Sequence, residues 1–410
     1  MKNAFIKIIL ISLLTGLSLS ACQNTSVEVM DMPIVETEYI VSSTYPVSED
    51  ESDGVYFPET MQTEHAQGFT IEYHENYKVL TVIQPWLGAD TAFTYVLVQN
   101  GTQVPEELPE NSLVIKIPIK SIVTMSTTYF PYLQKYGLMD TLIGLDDTTY
   151  VFNETVQTMA SEGIVKIVGG GAGGGSVNVE AIIDLAPDLI MTSASGIPEY
   201  DAHPKLIEAG LPVVINADYL ENTPLGRAEW GKFIAAFYNM EVEANRDFMA
   251  VVDRYNAMQT LAANVGERPT VFTNTDFQGS WFVPGGKSFA AILLKDAGAQ
   301  YLWTDDEGTG SIPLSFEQVY DMAIDADYWL NVGFADDLAN LLAMDERYSD
   351  FSAFQNGNVF NYSNRVNANG GSDYFESGVA NPDMILADLI SIFHPELIPD
   401  HTLYFYKHLH

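Results

Sequence analysis

The sequence predicts an α/β protein of two Rossmann-like lobes, each with a central parallel sheet, joined by one long rigid α-helix. The first observation is length, because 410 residues are too many for one typical core and suit two domains. The second is that short β-branched and aromatic runs alternate with helical segments, which indicates parallel α/β layering. The third is one long helical period between the two alternating regions.

The chain begins with a predicted signal peptide at residues 1–22. Lys2 and Lys7 form a basic region, and the apolar run at 8–19 is too short to span a membrane as a folded helix. The following string LSAC ends in Cys22, the only cysteine of the chain. This string resembles the lipobox of bacterial lipoproteins, which implies that Cys22 is lipidated. The alternative is an ordinary secretory peptide with an incidental cysteine. We expect a cell-envelope protein, lipid-anchored on the periplasmic or extracellular face of the membrane.

The segment at 23–54 is predicted to be a disordered acidic tether. It contains eight Asp and Glu residues and no Lys or Arg. Such a segment cannot bury enough apolar surface to fold, and its like charges extend it. A flexible tether of this length reaches roughly 30 Å, so the globular part can meet a membrane partner while anchored.

The sequence then divides into lobe, helix and lobe. The N-terminal lobe is predicted over 55–242 and the C-terminal lobe over 266–410, because each contains alternating strand and helix patterns. The linking helix is predicted over 243–265, a length of roughly 34 Å. Its apolar residues recur at three- and four-residue spacing: Phe248, Val251, Val252, Tyr255, Met258 and Leu261.

The net charge of the chain is −37, from 18 Lys and Arg against 55 Asp and Glu. A surface this acidic argues against nucleic acid and anionic lipid as partners. It does not identify a ligand, since high solubility or a saline habitat explains it equally well. In such a chain the few arginines become candidates for special roles.

The two predicted lobes share a repeated unit. The segment SVNVEAIIDLAPDLIMTS corresponds to PLSFEQVYDMAIDADYWLNV in the second half. Each contains a polar residue, an apolar residue, Glu, a helix, Asp and an apolar strand. The alignment places Glu180 and Glu317 in the first turn of equivalent helices. Two copies of one unit on either side of a rigid helix predict a clamp with its ligand between them.

The chain resembles the substrate-binding proteins of ABC importers for ferric siderophores, haem and cobalamin. Four segments carry the resemblance, which spans about 115–400: SIVTMSTTYFPYLQKYGLMDTLIGL, VNVEAIIDLAPDLIM, SFEQVYDMAIDADYWL and NPDMILADLISIFHPEL. The resemblance implies two lobes joined by a helix, limited closure on ligand, and delivery to a permease dimer with its ATPase. It also implies that Glu180 and Glu317 dock against permease arginines, although a structural role as first-turn acids remains open. We expect a monomer.

Candidate ligand-binding residues follow the predicted strands, because ligands of α/β lobes bind at the carboxyl ends of strands. Aromatic side chains suit a large chelate, and an arginine would neutralise an anionic one. For Arg227 an internal ion pair is at least as plausible a role. The predicted set is Thr127, Thr128, Tyr129, Ser195, Arg227, Phe277, Trp281, Tyr362, Arg365 and Tyr374.

The cargo expected from the resemblance is a ferric siderophore, with haem or cobalamin as the alternative. No resident cofactor and no direct metal-ligand set are predicted, since the seven histidines lie mostly at the edges of the fold. The sequence lacks a G-x-S-x-G elbow, an H-E-x-x-H helix and a P-loop, so an enzyme is not expected. A surface lipoprotein of another binding function remains an alternative, but it leaves the repeated units unexplained.

A glycine-rich run at 169–175 imitates a dinucleotide fingerprint. Gly169, Gly171 and Gly174 have the G-x-G-x-x-G spacing, and Asp188 follows about twenty positions on. However, a dinucleotide site needs its acid at the end of the next strand, whereas Asp188 precedes the strand. It also needs a helix N-terminus free of acid, which Glu180 occupies. We interpret the glycines as a lead-in to Glu180.

Overall fold

The computed structural model describes residues 56–169 and 176–410. The predicted signal peptide, the Cys22 lipidation site, the acidic tether at 23–54 and both Gly171 and Gly174 lie outside the described residues.

A four-stranded sheet forms the first part of the N-terminal lobe. Strands β1 to β3 are antiparallel neighbours, whereas β4 runs parallel to β3. Alternation in β2 directs Leu80 and Val82 into the core, and the buried Lys78 forms an ion pair with Glu241. The strands are β1 (Phe69–Tyr73), β2 (Tyr77–Val82), β3 (Phe93–Gln99) and β4 (Leu113–Ile117).

The N-terminal lobe contains a five-stranded parallel sheet in the order β7-β6-β5-β8-β9. Strands β5, β8 and β9 are buried throughout, as expected for a parallel sheet covered on both faces. Its strands are β5 (Ile122–Thr124), β6 (Leu142–Leu145), β7 (Lys166–Ile167), β8 (Leu189–Thr192) and β9 (Val213–Ile215). Its helices are α1 (Phe130–Lys135), α2 (Glu154–Ser161), α3 (Val179–Leu185) and α4 (His203–Glu208).

Helix α5 (Pro224–Ala236) packs in the core of the N-terminal lobe, and helix α6 (Glu241–Ala263) leads from it to the C-terminal lobe. Thr223 caps α5, since its hydroxyl accepts a hydrogen bond from the Gly226 N–H at 3.0 Å. Helix α6 has 23 residues and begins two positions before the predicted start of the linking helix. Its buried stripe contains Phe248, Val251 and Tyr255.

Buried carboxylates fasten the chain before β1 to helix α5. The Glu229 carboxylate accepts hydrogen bonds from the backbone N–H groups of residues 64–66 and pairs with Lys232 at 2.7 Å. Glu221 accepts hydrogen bonds from the Gly68 N–H and the Trp230 indole, among others. Because these donors satisfy buried charges, the first sheet is an integral part of the lobe.

The C-terminal lobe contains a five-stranded sheet in the order β13-β10-β15-β16-β17, in which only β17 is antiparallel to its neighbour. A three-stranded antiparallel sheet, β11-β12-β14, lies beside it. The strands are β10 (Thr270–Thr273), β11 (Asp276–Phe277), β12 (Ser280–Pro284), β13 (Gln300–Tyr301), β14 (Ser311–Leu314), β15 (Tyr328–Leu330), β16 (Val359–Asn361) and β17 (Lys407–His408). The helices are α7 (Phe289–Asp296), α8 (Phe316–Ala323), α9 (Leu338–Met344), α10 (Ser352–Gln355), α11 (Ser377–Ala380) and α12 (Pro382–Phe393).

The repeated sequence unit corresponds to a repeated hydrogen-bond clamp. In the N-terminal lobe, Asp188 before β8 accepts a hydrogen bond from the Ser121 N–H at 3.0 Å, and the Asp188 N–H donates to the Ser121 hydroxyl at 2.9 Å. In the C-terminal lobe, Asp327 before β15 exchanges the same pair of bonds with Thr270, at 2.8 and 3.0 Å. Each clamp joins the amino ends of two adjacent parallel strands.

Within the described ranges, no helix has the length and apolar character needed to cross a membrane.

Candidate ligand-binding site

Loops from the two lobes meet at the carboxyl ends of strands β6 and β16. The side-chain amide of Asn367, which follows β16, donates to the backbone carbonyls of Thr149 and Val151 at 3.0 and 2.9 Å. The carboxylate of Glu376 accepts a hydrogen bond from the Phe152 N–H at 2.9 Å. Because parallel strands end at a common edge, these contacts place the carboxyl edges of the two central sheets opposite each other.

Glu376 is buried at this contact. Burial raises the pKa of its carboxyl to about 7, although the hydrogen bond from Phe152 favours the ionised form. The loop that carries Glu376 also contains the predicted ligand-binding residues Tyr362, Arg365 and Tyr374. In the structure this segment bridges the lobes.

A cavity of about 390 Å³ opens at the carboxyl ends of the N-terminal sheet. This volume lies within the usual range of about 300–1,000 Å³ for small-molecule sites. The wall contains two carboxylates, several hydroxyl groups and two phenol rings. Its lining residues are Met125, Asp146, Ser176, Thr192, Ser193, Ala194, Ser195, Tyr200, Asp201, Ala202 and Tyr219.

Asp146 follows β6 directly and is partly buried in the cavity wall. Burial, and then the nearby charge of Asp147, raise the pKa of its carboxyl to about 6. Gly169 lies against this carboxylate so closely that a Cβ atom there would be 1.5 Å from Asp146 Oδ1. Gly169 also bridges to Val177 on the other side of the glycine-rich run.

Asp201 organises the opposite side of the cavity. Its Oδ1 accepts hydrogen bonds from the Ser195 N–H and hydroxyl at 2.7 and 2.8 Å, and its Oδ2 accepts one from the Gly196 N–H at 2.9 Å. Behind it, His203 stacks on Trp86 with ring centroids 5.5 Å apart. Burial lowers the pKa of His203, which keeps the imidazole neutral at pH 7.

Of the three predicted ligand-binding residues after β5, two are half-buried and one lies in the core. Thr127 and Thr128 are half-buried in a short 3-10 helix, next to Met125 of the cavity wall. Tyr129 is only 1% exposed and packs in the core, where burial raises the pKa of its phenol. The expectation that Tyr129 contacts ligand is therefore wrong, because its ring is directed into the lobe.

Arg227 has contacts in both lobes. Its guanidinium donates to the backbone carbonyls of Tyr219 and Glu221, and it lies 4.3 Å from the ring centroid of Phe289. Burial lowers its pKa, and the buried Asp218 offsets this effect. Arg227 is not among the residues that line the cavity.

Strand alternation separates two of the aromatic candidates. Phe277 is 60% exposed in the hairpin of β11 and β12, at the carboxyl end of β10. Trp281 is fully buried, and its indole donates to the Thr273 carbonyl within the core of the lobe. The prediction that Trp281 contacts ligand is wrong, because the inward face of β12 carries Trp281 and the outward face carries Phe282.

The remaining candidates form a cluster in the bridging loop. Tyr362 and Tyr374 stack with centroids 5.0 Å apart. Tyr374 is 8% exposed and contacts Tyr406, so it is a core residue, which corrects its prediction as a ligand contact. Arg365 forms an ion pair with Asp373 at 2.7 Å, so its charge is already compensated.

Sequence reasoning missed Asp146, Asp201, Tyr200 and Tyr219 of the cavity wall. It also missed Phe334, which follows β15 and is 92% exposed. The signal that could have identified Asp146 and Phe334 is their position just after a predicted strand. Across the residues that the structure describes, no group of three or more His, Cys, Asp or Glu is placed to hold a metal ion.

The family model described as periplasmic binding protein matches residues 122–366 of this chain. The chain belongs to the periplasmic binding protein family. Its relatives include two uncharacterized lipoproteins of Methanocaldococcus jannaschii. One is 30% identical over 77% of this chain and 76% of the relative, and the other is 27% identical over 76% and 79%.

Solved structures of periplasmic binding proteins share the fold. A haem-binding protein of Pseudomonas aeruginosa aligns with a TM-score of 0.50, 18% identity and coverage of 68% of this chain and 93% of that one. A possible iron-binding, periplasmic solute-binding protein of Staphylococcus epidermidis aligns with a TM-score of 0.51 and 16% identity, over 67% of this chain and 98% of that one. CeuE of Helicobacter pylori with Ni(II) bound aligns with a TM-score of 0.53 and 16% identity, over 70% of this chain and 88% of that one. The predicted fold class is confirmed.

Membership in a family of solute-binding proteins also confirms that this binding protein is not an enzyme. Asp188 further distinguishes its glycine-rich run from a nucleotide site. The Asp188 carboxylate accepts a hydrogen bond from the Lys120 N–H at 2.7 Å, at the amino end of β5. It therefore lies at the opposite edge of the sheet from the cavity.

The two glutamates of the repeated unit are exposed in the first turns of their helices. Glu180 follows the Asn178 cap of α3, and Glu317 follows the Ser315 capping box of α8. Glu317 lies 3.9 Å from the guanidinium of Arg347, which pairs more closely with Asp345 at 2.6 Å. Both carboxylates are thus accessible to an incoming cation.

Proposed function

We propose that this binding protein is a lipid-anchored component of an ABC importer that captures a ferric siderophore between its lobes and delivers it to the permease. The observation that carries the proposal is the cavity at the carboxyl edge of the N-terminal sheet, opposite the carboxyl edge of the C-terminal sheet. Small molecules bind at such edges in α/β proteins because the loops there converge.

Exposed aromatic side chains on both lobes support a large chelate as the ligand. Tyr200 and Tyr219 line the cavity, whereas Phe277 and Phe334 lie on the facing edge of the other lobe. Exposed rings of this kind favour a partly apolar ligand, which they would contact through dispersion and stacking. We assign Thr127, Thr128 and Ser195 as polar contacts of the same site, with Tyr362 as a contact from the other lobe. Arg365 is not assigned to the site, because it is paired with Asp373.

The structural neighbours support metal chelates as the cargo class. One is a haem-binding protein, one is a possible iron-binding protein, and one contains bound Ni(II). We propose that Cys22 is acylated, in keeping with relatives that are lipoproteins. The permease dimer and its ATPase are the proposed partners.

The first prediction is that a ferric chelate stabilises the protein. Titration of purified protein with ferric siderophores, haem and cobalamin should raise its thermal stability with at least one ferric siderophore. At a concentration of 100 times the Kd, the gain is about 2.7 kcal/mol. Phe334→Ala should weaken this binding without lowering the stability of the free protein, because the ring is exposed. Absence of any shift with all three ligand classes contradicts the proposal.

The second prediction concerns docking. Glu180→Ala combined with Glu317→Ala should abolish uptake of labelled ferric siderophore into vesicles that contain the permease and ATPase. Ligand affinity should stay unchanged, because both residues lie on exposed helix starts away from the cavity wall. The matched control is Asp184→Ala with Asp321→Ala, one turn later on the same helices. Reduced ligand affinity in the first pair would instead assign the glutamates to the cleft.

A further inference from the structure

The cavity wall is acidic and lacks compensating cations. Asp146 and Asp201 are its charged residues, and the other polar groups are hydroxyls and phenols. No Lys, Arg or His is among the described residues that line it. An anionic ligand group placed here would meet two carboxylates and no positive side chain, which is unfavourable at low local dielectric.

Three basic side chains of this region are engaged in other contacts. Arg227 donates to two backbone carbonyls and packs on Phe289. Arg365 pairs with Asp373 on the bridging loop. His203 stacks on Trp86, and burial lowers the pKa of its imidazole. None of the three is among the residues that line the cavity.

The phenol rings of the wall also favour a cation. Asp218, which follows β9 and adjoins Tyr219 of the wall, contributes little to the charge of the cavity, because burial raises the pKa of its carboxyl and the nearby Arg227 guanidinium offsets its charge. Tyr200 and Tyr219 contribute ring faces, which attract cations through the ring quadrupole. Carboxylates and phenol rings together form the type of wall that binds an ammonium or guanidinium group.

We infer that the chelate group entering this cavity carries a positive charge, so that the protein selects cationic ferric chelates over neutral and anionic ones. The inference rests on the proposed function and names the charge class of its ligand. Asp146 would accept a charge-assisted hydrogen bond from the cationic group, Asp201 would add its negative charge, and Tyr200 and Tyr219 would flank the group.

The test uses two ferric trihydroxamates that differ in one charge. Ferrioxamine B has a pendant ammonium group, and its N-acetylated form has a neutral amide in its place. Ferric enterobactin supplies an anionic comparison. Isothermal titration should show ferrioxamine B binding at least about tenfold more tightly than the acetylated form, a factor equivalent to about 1.4 kcal/mol. Ferric enterobactin should bind most weakly.

The variant Asp146→Asn assigns this preference to the cavity. It should reduce the difference between ferrioxamine B and its acetylated form to within about threefold, since it removes one wall charge. Asp140→Asn removes the same charge from the exposed amino end of β6 and should preserve the full difference. Asp201 is left unchanged because it holds the Ser195 loop.

The outcomes separate the inference from the proposed function. Equal binding of the two trihydroxamates, or tighter binding of ferric enterobactin, overturns the charge inference and leaves the binding of ferric chelates intact. The same holds if Asp140→Asn removes the preference as strongly as Asp146→Asn. Binding of none of the three chelates contradicts the proposed function, and the inference falls with it.

Discussion

Gly169 is required by its contact with a single carboxylate. The sequence pattern around it imitates a phosphate-binding fingerprint, but in the structure Gly169 accommodates Asp146 of the cavity wall. Its N–H donates to the Asp146 carbonyl at 2.9 Å, which holds the loops after β6 and β7 together. The absence of a side chain at this position therefore serves packing beside the cavity.

The third prediction is that Gly169→Ala weakens both the fold and ligand binding. The added methyl group would lie 1.5 Å from Asp146 Oδ1, so the carboxylate or the backbone must move. We expect the free energy of unfolding to fall by about 1–3 kcal/mol in urea titration. Gly266→Ala is the control, because nothing lies within 4 Å of a Cβ atom there. Equal stability of Gly169→Ala and the wild type would contradict the packing role.

For individual residues, position along a strand predicted whether some side chains lie at the carboxyl edge of a sheet. The strand-end rule selected Ser195, which lines the cavity, and Phe277, which is exposed. The rule did not show whether Trp281 or Phe282 faces the core. Alternation predicts that the two face opposite sides of the strand, but only the placement of the strand on its sheet decides which side is buried. The same rule also applies to Asp146, which follows β6 directly, but it was not selected from among the 55 acids of the chain.

At the scale of elements, the repeated unit has a physical basis in its two clamps. A hydroxyl residue at the start of one strand and an aspartate at the start of the next exchange two hydrogen bonds. These bonds set the relative height of β5 and β8 in one lobe and of β10 and β15 in the other. The Asp in the sequence repeat was recognised, but its partner lies 57 or 67 positions away and gave no local signal.

The fourth prediction is that Asp327→Ala destabilises the protein. Its Oδ2 accepts hydrogen bonds from the Thr270 N–H and hydroxyl at 2.8 and 2.7 Å. Because these groups are near solvent, we expect a loss of about 1–2 kcal/mol in the free energy of unfolding. The exposed Asp325→Ala, two positions earlier, should change it by less than about 0.5 kcal/mol. A similar effect of both substitutions would show that the clamp contributes nothing specific.

The long helix shows which features of an element a sequence predicts well. An apolar stripe of 23 residues indicated its existence and length, and α6 begins two positions earlier than predicted. The parallel pairing of β4 with β3 was not predicted, because it depends on contacts between segments separated in the chain. The N-terminal segment wrapped around Glu221 and Glu229 was missed for the same reason.

At the scale of the whole molecule, hydrogen bonds from the bridging loop, residues 362–376, connect the two lobes. Asn367 and Glu376 bond to the backbone of the opposite lobe, so opening of the cleft must break or bend these contacts. Of Asn367 and Glu376, only Glu376 is titratable. The free energy of unfolding therefore depends on pH through the protonation of its carboxyl. Local pattern recognition could not reveal this contact, because its two sides are 216 or more positions apart.

The fifth prediction is that stability falls as the pH rises from about 4.5 to 7. Burial raises the pKa of Glu376 from 4.5 to about 7, so in this window the folded state retains a proton that the unfolded state has released. The resulting stabilisation is complete below the unfolded pKa and is lost as the pH rises through the folded pKa. We expect a loss of up to about 3 kcal/mol in urea titrations at pH 4.5 and 7.5.

Glu376→Gln tests the assignment of this pH dependence. The amide stays neutral and has nearly the shape of the protonated acid, so the free energy of unfolding should vary less with pH than in the wild type. Asp146, whose pKa is also raised, contributes a smaller slope of the same sign that should persist. An undiminished slope in Glu376→Gln would rule out this carboxyl as its main source.

Trp86 gives the molecule an intrinsic optical reporter. Its indole stacks on the His203 ring, and His203 adjoins Asp201 of the cavity wall. A ligand that shifts Asp201 changes the surroundings of this indole, so its emission follows occupancy without an attached dye. Trp230, Trp281 and Trp329 are fully buried in the lobes, and Trp303 packs against Tyr301 in the C-terminal lobe. Stopped-flow fluorescence can therefore follow ligand capture in the unmodified protein.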